Sequence, residues 1–577
     1  MKGYSMRSHE EKSSYEALLG YPELIQNLLF GRGVHSADAI ERFLNPDYER
    51  DVYDPFLLKG MDTAIARIVE AIEKSESVAL FSDFDADGIP AAVVMSDAFA
   101  KLGHTHISVT IPHRNTEGFG LNEDAVTKFI NEKVSLVITL DCGMGDAVHV
   151  KRLMDAGIAV IVTDHHLPNH AVPEATAIVN PNQTGDTYPN KHLCGSGVAY
   201  KVVQALFSHI QTSKLPNFET NKPPAGWEKW LLDMVAIATL SDMVALTGEN
   251  RALVTYGLLV LRKSPRVGLR TLLKHLRIKQ HALTEDDVVF MITPRINAAS
   301  RMDEPELAFR LLSTRDVTEA QTLVEHLDGI NNERKGAVAH MSKEIKEKME
   351  GKTPSPVLVV GNPHWRPGLL GLAATRAVEV YGRPTFVWGR GDAAVIKGSC
   401  RSDGSVDVNV LMNEVKEYFL EFGGHAKSGG FSTTVEHIVN LEQALSDAYV
   451  RVKNGMVKEE TTVCDAELTI SDVNGTTSRM IQKLAPFGMG NDKPIFVLPT
   501  VRVNAVSWFG KAKEHIRLTL ADEKGNVAQA IQFFAKENQT FVDLNIGTVV
   551  TVLGNLEQSD FGRTREVRIR IVDVVKI

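Results

Sequence analysis

Cysteine is scarce: 577 residues hold four, Cys142, Cys194, Cys400 and Cys464, each standing alone. That spacing excludes paired-cysteine zinc sites and a dense disulfide framework, and it reads as reduced packing thiols. No apolar run approaches membrane-spanning length, and the opening MKGYSMRSHEEKSSYE lacks an apolar core. Neither a membrane span nor a secretory signal is expected, and the expected location is cytoplasmic. The net charge of −9 gives no hint of a nucleic-acid partner. Acid is nevertheless missing from one stretch. Residues 250–284 have no Asp or Glu, while Arg251, Arg262, Lys263, Arg266, Arg270, Lys274, Arg277 and Lys279 supply positive charge. In an acidic protein such a run favours a polyanion-binding surface over an ordinary solvated face.

What the chain does hold is a 44% hydrophobic composition and a length that calls for about three or four domains. Its organising stretch is SVALFSDFDADGIPAAVVMSDAF at 77–99, an apolar strand that runs into Asp83, Asp85 and Asp87 and then a helix. A calcium loop is excluded, because the twelfth position from Asp83 is Val94 rather than Glu and Pro90 lies inside. Further strands follow. HISVTIPHR (106–114) is read as ending at His113 and Arg114, VSLVITL runs into Asp141, and IAVIVT runs into Asp164, His165 and His166. Strands alternating with helices predict a doubly wound parallel sheet, whose ligands gather at the carboxyl ends of the strands. Arg114 has two readings, a phosphate contact or a surface salt bridge. The glycine turn at 195–197 likewise reads as a close-packed helix start or as an anion site.

A helix in WEKWLLDMVAIATLSDMVAL carries Asp242 at its apolar end, where burial without a partner would be costly. ITPRINAASRM (292–302) adds Arg295, Asn297 and Arg301 in what the pattern predicts to be a loop. Taken together, Asp83, Asp85, Asp87, Asp141, Asp164, His165, His166 and Asp242 make a mostly carboxylate set with imidazole. Two divalent ions about 4 Å apart, Mn²⁺ or Mg²⁺ rather than zinc, suit that set, and the implied reaction is hydrolysis of a phosphate ester.

The remaining chain is read as an N-terminal helical extension packed on the first domain (1–76), a catalytic α/β domain (77–314) and a long connecting helix (315–350). A smaller α/β domain (351–455) and a C-terminal β-barrel of the OB-fold type (460–577) follow. FGGHAKSGGF is read as a glycine-rich turn around His425. In the barrel, Trp508, Phe509, Lys511, Lys513, His515 and Arg517 either form a stacking and charge surface for single strands or, for the two aromatics, fill the interior.

DFDADG, DCG, DHH, LSDMV, PRINAASR and GGHAKSGG, in this order, resemble the DHH phosphodiesterase superfamily, and within it the single-strand-specific 5′→3′ exonucleases. The resemblance covers nearly the whole chain. It implies a DHH domain joined to a DHHA1-type domain and an OB-fold. It implies Asp85, Asp87, Asp141, His165 and Asp242 as metal ligands with Asp141 bridging, and Asp83, Asp164 and His166 as orienting or catalytic groups. It also implies Ser399 and Arg401 as a pocket for a 5′-terminal phosphate, with His425 lining the cleft and Arg114, Arg295 and Arg301 gripping phosphates. Single-stranded DNA is the implied substrate, with a single-stranded-DNA-binding protein and a helicase as possible partners, roles in recombination and repair, no membrane, and a monomer. Three positions depart from the family pattern: Cys142, Ser300 and Lys427. Two rivals remain open, an enzyme for short oligoribonucleotides or cyclic dinucleotides, and a catalytically dead scaffold. The barrel argues against the first and the complete set of acids against the second.

Overall fold

The computed structural model describes residues 3–8, 15–168, 171–213, 218, 221–390, 395–453, 461–510, 513–537, 539–559 and 566–576. They form two units: residues 53–244 with 253–457, and residues 1–52 with 245–252 and 458–577.

In the larger unit, β1 (Val78–Ser82), β2 (Ile107–Thr110), β3 (Leu136–Leu140), β4 (Ala159–Thr163) and β5 (Ala177–Val179) make an all-parallel sheet in the order β2-β1-β3-β4-β5. The strands are continuous apolar runs because both faces are covered. Ala79, Phe81, Val137, Val160 and Val162 pack beneath α3 (Glu123–Asn131) and α4 (Ala147–Asp155). The opposite face meets α1 (Met61–Glu73), α2 (Gly88–Lys101) and α5 (Gly195–Thr212). The chain goes to β2 on one side of β1 and then crosses to β3 on the other. The crevice at the carboxyl ends of β1 and β3 is therefore the switch point of the sheet.

α6 (Leu232–Ser241) and α7 (Val267–His275) follow, and then a π-helical turn, Val288–Ile292, leads into α8 (Thr293–Arg301). PRINAASR is thus helical rather than the expected loop. Pro294 sits in the first helical turn, where its missing N–H costs nothing, and the alanines favour helix. α9 (Val317–Met349) is 33 residues long. Beyond it β6 (Leu358–Gly361), α10 (Leu370–Tyr381), β7 (Thr385–Gly389), β8 (Ile396–Arg401), β9 (Glu421–His425), β10 (Ser428–Thr433) and α11 (Val435–Val452) complete the unit. The sheet order is β9-β10-β8-β7-β6, and only β6 and β7 are parallel. The GGHAKSGG run is therefore a hairpin turning at Ala426 and Lys427. Its glycines lie in strands, where Gly424 leaves room for the backbone of Ser428, and Gly398 of the neighbouring β8 leaves room for the Phe431 ring.

The smaller unit is a closed barrel of β11 (Phe496–Phe509), β12 (His515–Ala521), β13 (Val527–Gln532), β14 (Val549–Ser559) and β15 (Glu566–Lys576), sealed by pairing of β11 with β14. The expectation that the N-terminal extension packs on the first domain holds only from residue 53 onward, through α1 and the short turn before it. Leu18, Ile25, Leu28, Leu29, Ile40 and Phe43 are buried in one cluster with Phe496, Leu498, Ile516 and Val552 of the barrel. Arg251 belongs to the same unit and is structural rather than surface charge. It is 2% exposed, lies over the Phe43 ring and donates to the carbonyls of Phe43, Ala485 and Pro486.

Candidate active site

β1 delivers the first acids through a turn that only glycine can close. A Cβ on Gly88 would stand 2.4 Å from the Asp83 carbonyl oxygen. Within the turn, the Asp85 carboxylate accepts from the backbone N–H of Asp87 (2.8 Å) and Gly88 (3.2 Å). Asp87 points the other way, to the N-terminus of α5, where its two oxygens accept from the N–H of Gly195 and Ser196, each at 2.6 Å. The anion at this glycine turn is thus a side chain of the protein itself. Gly195 is required for a second reason, since a Cβ there would lie 2.4 Å from Asp141.

β3 ends at Asp141, which holds a left-handed φ of 61°, unusual for a non-glycine residue and typical of functional turns. β4 ends at Asp164, whose carboxylate accepts from Met144 N (2.9 Å), His165 N (2.7 Å), His166 N (3.0 Å) and His166 Nδ1 (2.7 Å). Asp164 is saturated by these donors, so it aims the two histidines and the β3 loop. Asn180 and Asn182 hold the carbonyls of His166 and His165 from below. Asp242 caps α6, and its neighbour Met243 has a φ of 59°. The adjacent Ser241 hydroxyl meets Thr293 at 2.6 Å, and Asn297 Oδ1 accepts from Ala86 N at 3.0 Å. α8 is thereby tied both to α6 and to the acidic loop. Asn180 and Asn182 carry no motif that marks them in the sequence, whereas Asn297 stands inside the PRINAASR motif.

The strand-end acids come together. His165 Nε2 lies 3.2 Å from Asp141 Oδ1, 3.7 Å from Asp242 and 3.8 Å from Asp87. Ligand atoms of Asp83, Asp85 and Asp141 fall within 4.8 Å of one another, as do those of Asp87, His165 and Asp242, and those of Asp141, His165 and His166. Asp141 and His165 each belong to two of these groups. Burial, then the surrounding carboxylates, pushes Asp141 far above the usual carboxylate range, and burial with Asp85 does the same to Asp83. Burial followed by Asp87 and Asp85 raises Asp242 to about 8. Burial lowers His165. Against burial, the Asp164 hydrogen bond lifts His166 to about 9, and His166 in return holds Asp164 below its ordinary value. Asp83 Oδ1 and Asp141 Oδ1 are buried without a hydrogen-bond partner. Clustered carboxylates with orphaned oxygens and one central imidazole are the donor set that Mn²⁺ or Mg²⁺ takes, so the residues fit divalent ions.

Positive charge faces the acids. The Arg114 guanidinium lies over the Phe84 ring at 4.9 Å and has no ion pair among the described residues. Arg301 donates to Gly368 O at 2.9 Å, and burial, then Arg114 and Arg334, depress it to about 9. Arg401 donates to Ser399 Oγ at 3.1 Å and to Cys400 O at 2.8 Å, and Ser399 Oγ donates to Gly429 O at 3.2 Å. Gly371 of α10 leaves them room, because a Cβ there would be 2.9 Å from Arg401. Arg295 is placed differently. Its Nε and Nη2 donate to Asp328 and its Nη1 to Met291 O, which makes it a tie between α8 and α9. His425 is exposed at the hairpin end.

On the barrel, strand alternation separates the predicted surface residues. Trp508 pairs with Ile516 and packs against the interior, whereas Phe509, His515 and Arg517 share the outer face. The Arg517 guanidinium lies 5.7 Å from the Phe509 ring, and Phe509 and His515 meet edge-on at 5.2 Å. Lys511 lies outside the described residues.

Comparison with known proteins agrees along the whole chain. Residues 77–239 match the DHH family N-terminal domain, residues 355–451 the DHHA1 domain and residues 464–573 the RecJ OB domain. The single-stranded-DNA-specific exonuclease RecJ of Bacillus subtilis is 31% identical over 556 residues, covering 95% of this chain and 67% of the relative. That of Dickeya dadantii is 30% identical over 485 residues, covering 82% of this chain and 83% of the relative. The crystal structure of RecJ in complex with Mn²⁺ from Thermus thermophilus superposes with a TM-score of 0.81 at 25% identity, covering 100% of this chain and 79% of that one. With the strand-end acids, the DHHA1-type sheet and the barrel in one chain, this protein belongs to the RecJ family of single-stranded-DNA-specific exonucleases.

Proposed function

We propose that the chain degrades single-stranded DNA from its 5′ end to 5′-mononucleotides by hydrolysis that needs two divalent cations, Mn²⁺ or Mg²⁺. The observation that carries this reading is the buried carboxylate cluster around His165 Nε2. In it Asp85, Asp87, Asp141, His165 and Asp242 would hold the two ions, with Asp141 the residue that could serve both. Asp83, Asp164 and His166 orient them and the scissile phosphate. Bound there, the ions supply Lewis acidity, which activates water and neutralises charge on the phosphate.

The chain's own residues do the positioning. The α5 amides fix both oxygens of Asp87, and Asp164 fixes both histidines. Arg114 and Arg301 receive the scissile phosphate, and Ser399 with Arg401 receives the terminal 5′-phosphate, which sets the polarity. On the barrel, the face of Phe509, His515 and Arg517 stacks and neutralises a single strand. An enzyme of this specificity acts on strands opened by a helicase and coated by single-stranded-DNA-binding protein. Those are its expected partners in recombination and repair, with a monomer working in the cytoplasm. No described helix is long and apolar enough to cross a membrane.

The test is digestion, with Mn²⁺ or with EDTA, of single-stranded DNA labelled separately at each end, its duplex, single-stranded RNA and a cyclic dinucleotide. Mononucleotides released only from the 5′ side of single-stranded DNA, and only with metal, are expected. Cleavage confined to RNA or the cyclic dinucleotide, or metal-independent binding without cleavage, overturns the reading. Arg401→Ala should erase preference for a 5′-phosphate over a 5′-hydroxyl end, a loss of about 10-fold or more for a charge-assisted contact.

A further inference from the structure

Of the eight cations in the acid-free run at 250–284, three are spent on the protein itself. Arg251 donates to the carbonyls of Phe43, Ala485 and Pro486, Arg262 donates to Leu283 O at 2.8 Å, and Arg266 holds Asp233 at 2.8 Å and Asp97 at 2.6 Å. The other five, Lys263, Arg270, Lys274, Arg277 and Lys279, are exposed, and no ion pair to any of them occurs among the described residues. α7 gives three of them one direction. Its Leu269, Leu272 and Leu273 are buried, and at Gly268 a Cβ would stand 1.6 Å from the Leu311 carbonyl oxygen. This packing fixes which side of α7 faces out, and Arg270 and Lys274, one turn apart, stand on that side. Arg277 then closes the helix with a left-handed φ of 58°, where glycine is usual: the Ile278 N–H donates to Leu273 O and the Arg277 N–H to Lys274 O. A guanidinium is thus kept at the end of the row against its backbone preference. Gln280 Nε2 donates to Leu261 O at 3.0 Å and Ser264 O at 2.9 Å, which folds the turn of Lys279 back onto that of Lys263.

Contacts join this face to the wall of the acidic cleft. His275 Nε2, at the end of α7, lies 3.3 Å from Asp328, whose other oxygen is 2.7 Å from Arg295 of α8. Two residues along α8, Asn297 accepts from the Ala86 N–H of the acidic loop at 3.0 Å. Asp328, the acid that α9 brings to this end of α7, is committed to His275 and Arg295, so the exposed row keeps its charge. Its composition narrows the partner. Residues 262–281 contain no Phe, Tyr or Trp and no acid. A surface for single strands combines charge with aromatic rings on which unpaired bases stack, and this face has none. Cations alone suit a duplex, which turns its bases inward and carries a charge about every 1.7 Å of its axis.

We propose that the α7 face, Arg270, Lys274 and Arg277 with Lys263 and Lys279 beside them, docks the phosphate backbone of double-stranded DNA next to the single-stranded end under digestion. This rests on the exonuclease reading above and deepens it: the substrate is a duplex with a 5′ tail, whose tail enters the cleft while its paired part is held outside and not cut.

The experiment measures binding in EDTA, so that no turnover intervenes, across a salt series. The probes are a single strand and the same strand as the 5′ tail of a duplex. The proteins are the wild type, the triple variant Arg270→Gln, Lys274→Gln, Arg277→Gln, and the charge-preserving double variant Arg270→Lys, Arg277→Lys. For the wild type, the log–log salt slope should be steeper with the tailed duplex than with the strand by about 2.7, three contacts. Between 50 and 200 mM salt that difference amounts to an extra loss of about 40-fold. The triple variant should bind both probes with equal slopes and digest the single strand with Mn²⁺ at the wild-type rate, while the double variant keeps the wild-type difference. Equal slopes in the wild type overturn the proposal whether or not the variants fold, and a triple variant that keeps the steeper slope removes α7 from the contact. A triple variant that also loses affinity for the strand alone puts this face on the single strand's path and overturns duplex docking. A wild type that binds no single strand at all overturns the function reading as well, which distinguishes the two failures.

Discussion

Asp141 concentrates the conflict that the site is built on. It is buried, it holds a left-handed φ, it shares space with Asp83, Asp87 and Asp242, and one of its oxygens accepts no hydrogen bond. Each of these features costs stability in the metal-free protein, and the buried charge, the crowded carboxylates and the orphaned oxygen are relieved by bound cation. Asp141→Asn should therefore abolish hydrolysis and yet melt at the same temperature as the wild type in EDTA, or higher. Addition of Mn²⁺ at about 100 times its Kd should stabilise the wild type by about 2.7 kcal/mol per site, roughly 5 °C for a domain of this size, and leave the variant unmoved. Thermal melts with and without EDTA decide the matter, and an Asn variant that still gains with Mn²⁺ removes Asp141 from the ligands. Asp164 makes a contrasting case. Since its lone pairs are taken by Met144, His165 and His166, Asp164→Asn should weaken metal affinity or turnover about 10–100-fold by freeing the histidines, without abolishing either.

At the scale of elements, the strands announced themselves, while the helices did so only in part. The helix behind the acidic loop, the helix ending at Asp242 and the long connecting helix stand as read, and others do not. An apolar run ending in Asp needs nothing beyond sequence order to be recognised, and β1, β3 and β4 therefore place their acids at one edge of the sheet as expected. The α5 N-terminus was ambiguous because a glycine turn looks alike whether it meets a phosphate or a carboxylate. Only the fold shows that it meets Asp87. PRINAASR was misread for a related reason: a nine-residue helix too short to show a period, entered through a π turn, hides its pattern. Arg295 and Arg301 looked equivalent there, yet six residues apart they meet different neighbours, Asp328 for one and Gly368 for the other. The α5 device can be tested at Gly195, where a Cβ would press on Asp141. Gly195→Ala should cost about 1–3 kcal/mol through overpacking and lose most activity, seen as a lower melting temperature and a lost response to Mn²⁺. Near-normal turnover would show that the α5 amides are dispensable.

For the whole molecule, the organisation least legible in the sequence is the one that ties its two ends together. Amphipathic helices in residues 23–44 declare that one face must be buried, but nothing in their spacing says against what. The answer is the barrel some 450 residues later, which takes Leu18, Ile25, Leu28, Leu29, Ile40 and Phe43 into its own core. Six such side chains, at about 1.5–3 kcal/mol each, contribute on the order of 10 kcal/mol, as much as the net stability of a typical domain. A fragment of residues 461–577 also forgoes Arg251, whose guanidinium bonds the carbonyls of Ala485 and Pro486. Such a fragment should expose apolar surface, aggregate or melt without cooperativity, and be rescued by co-expression with residues 1–52. Its fluorescence can be followed at Trp508, the sole tryptophan beyond residue 388. A soluble barrel fragment with a sharp melting transition would show that the strands close a self-sufficient core, and that the N-terminal helices merely lie against it.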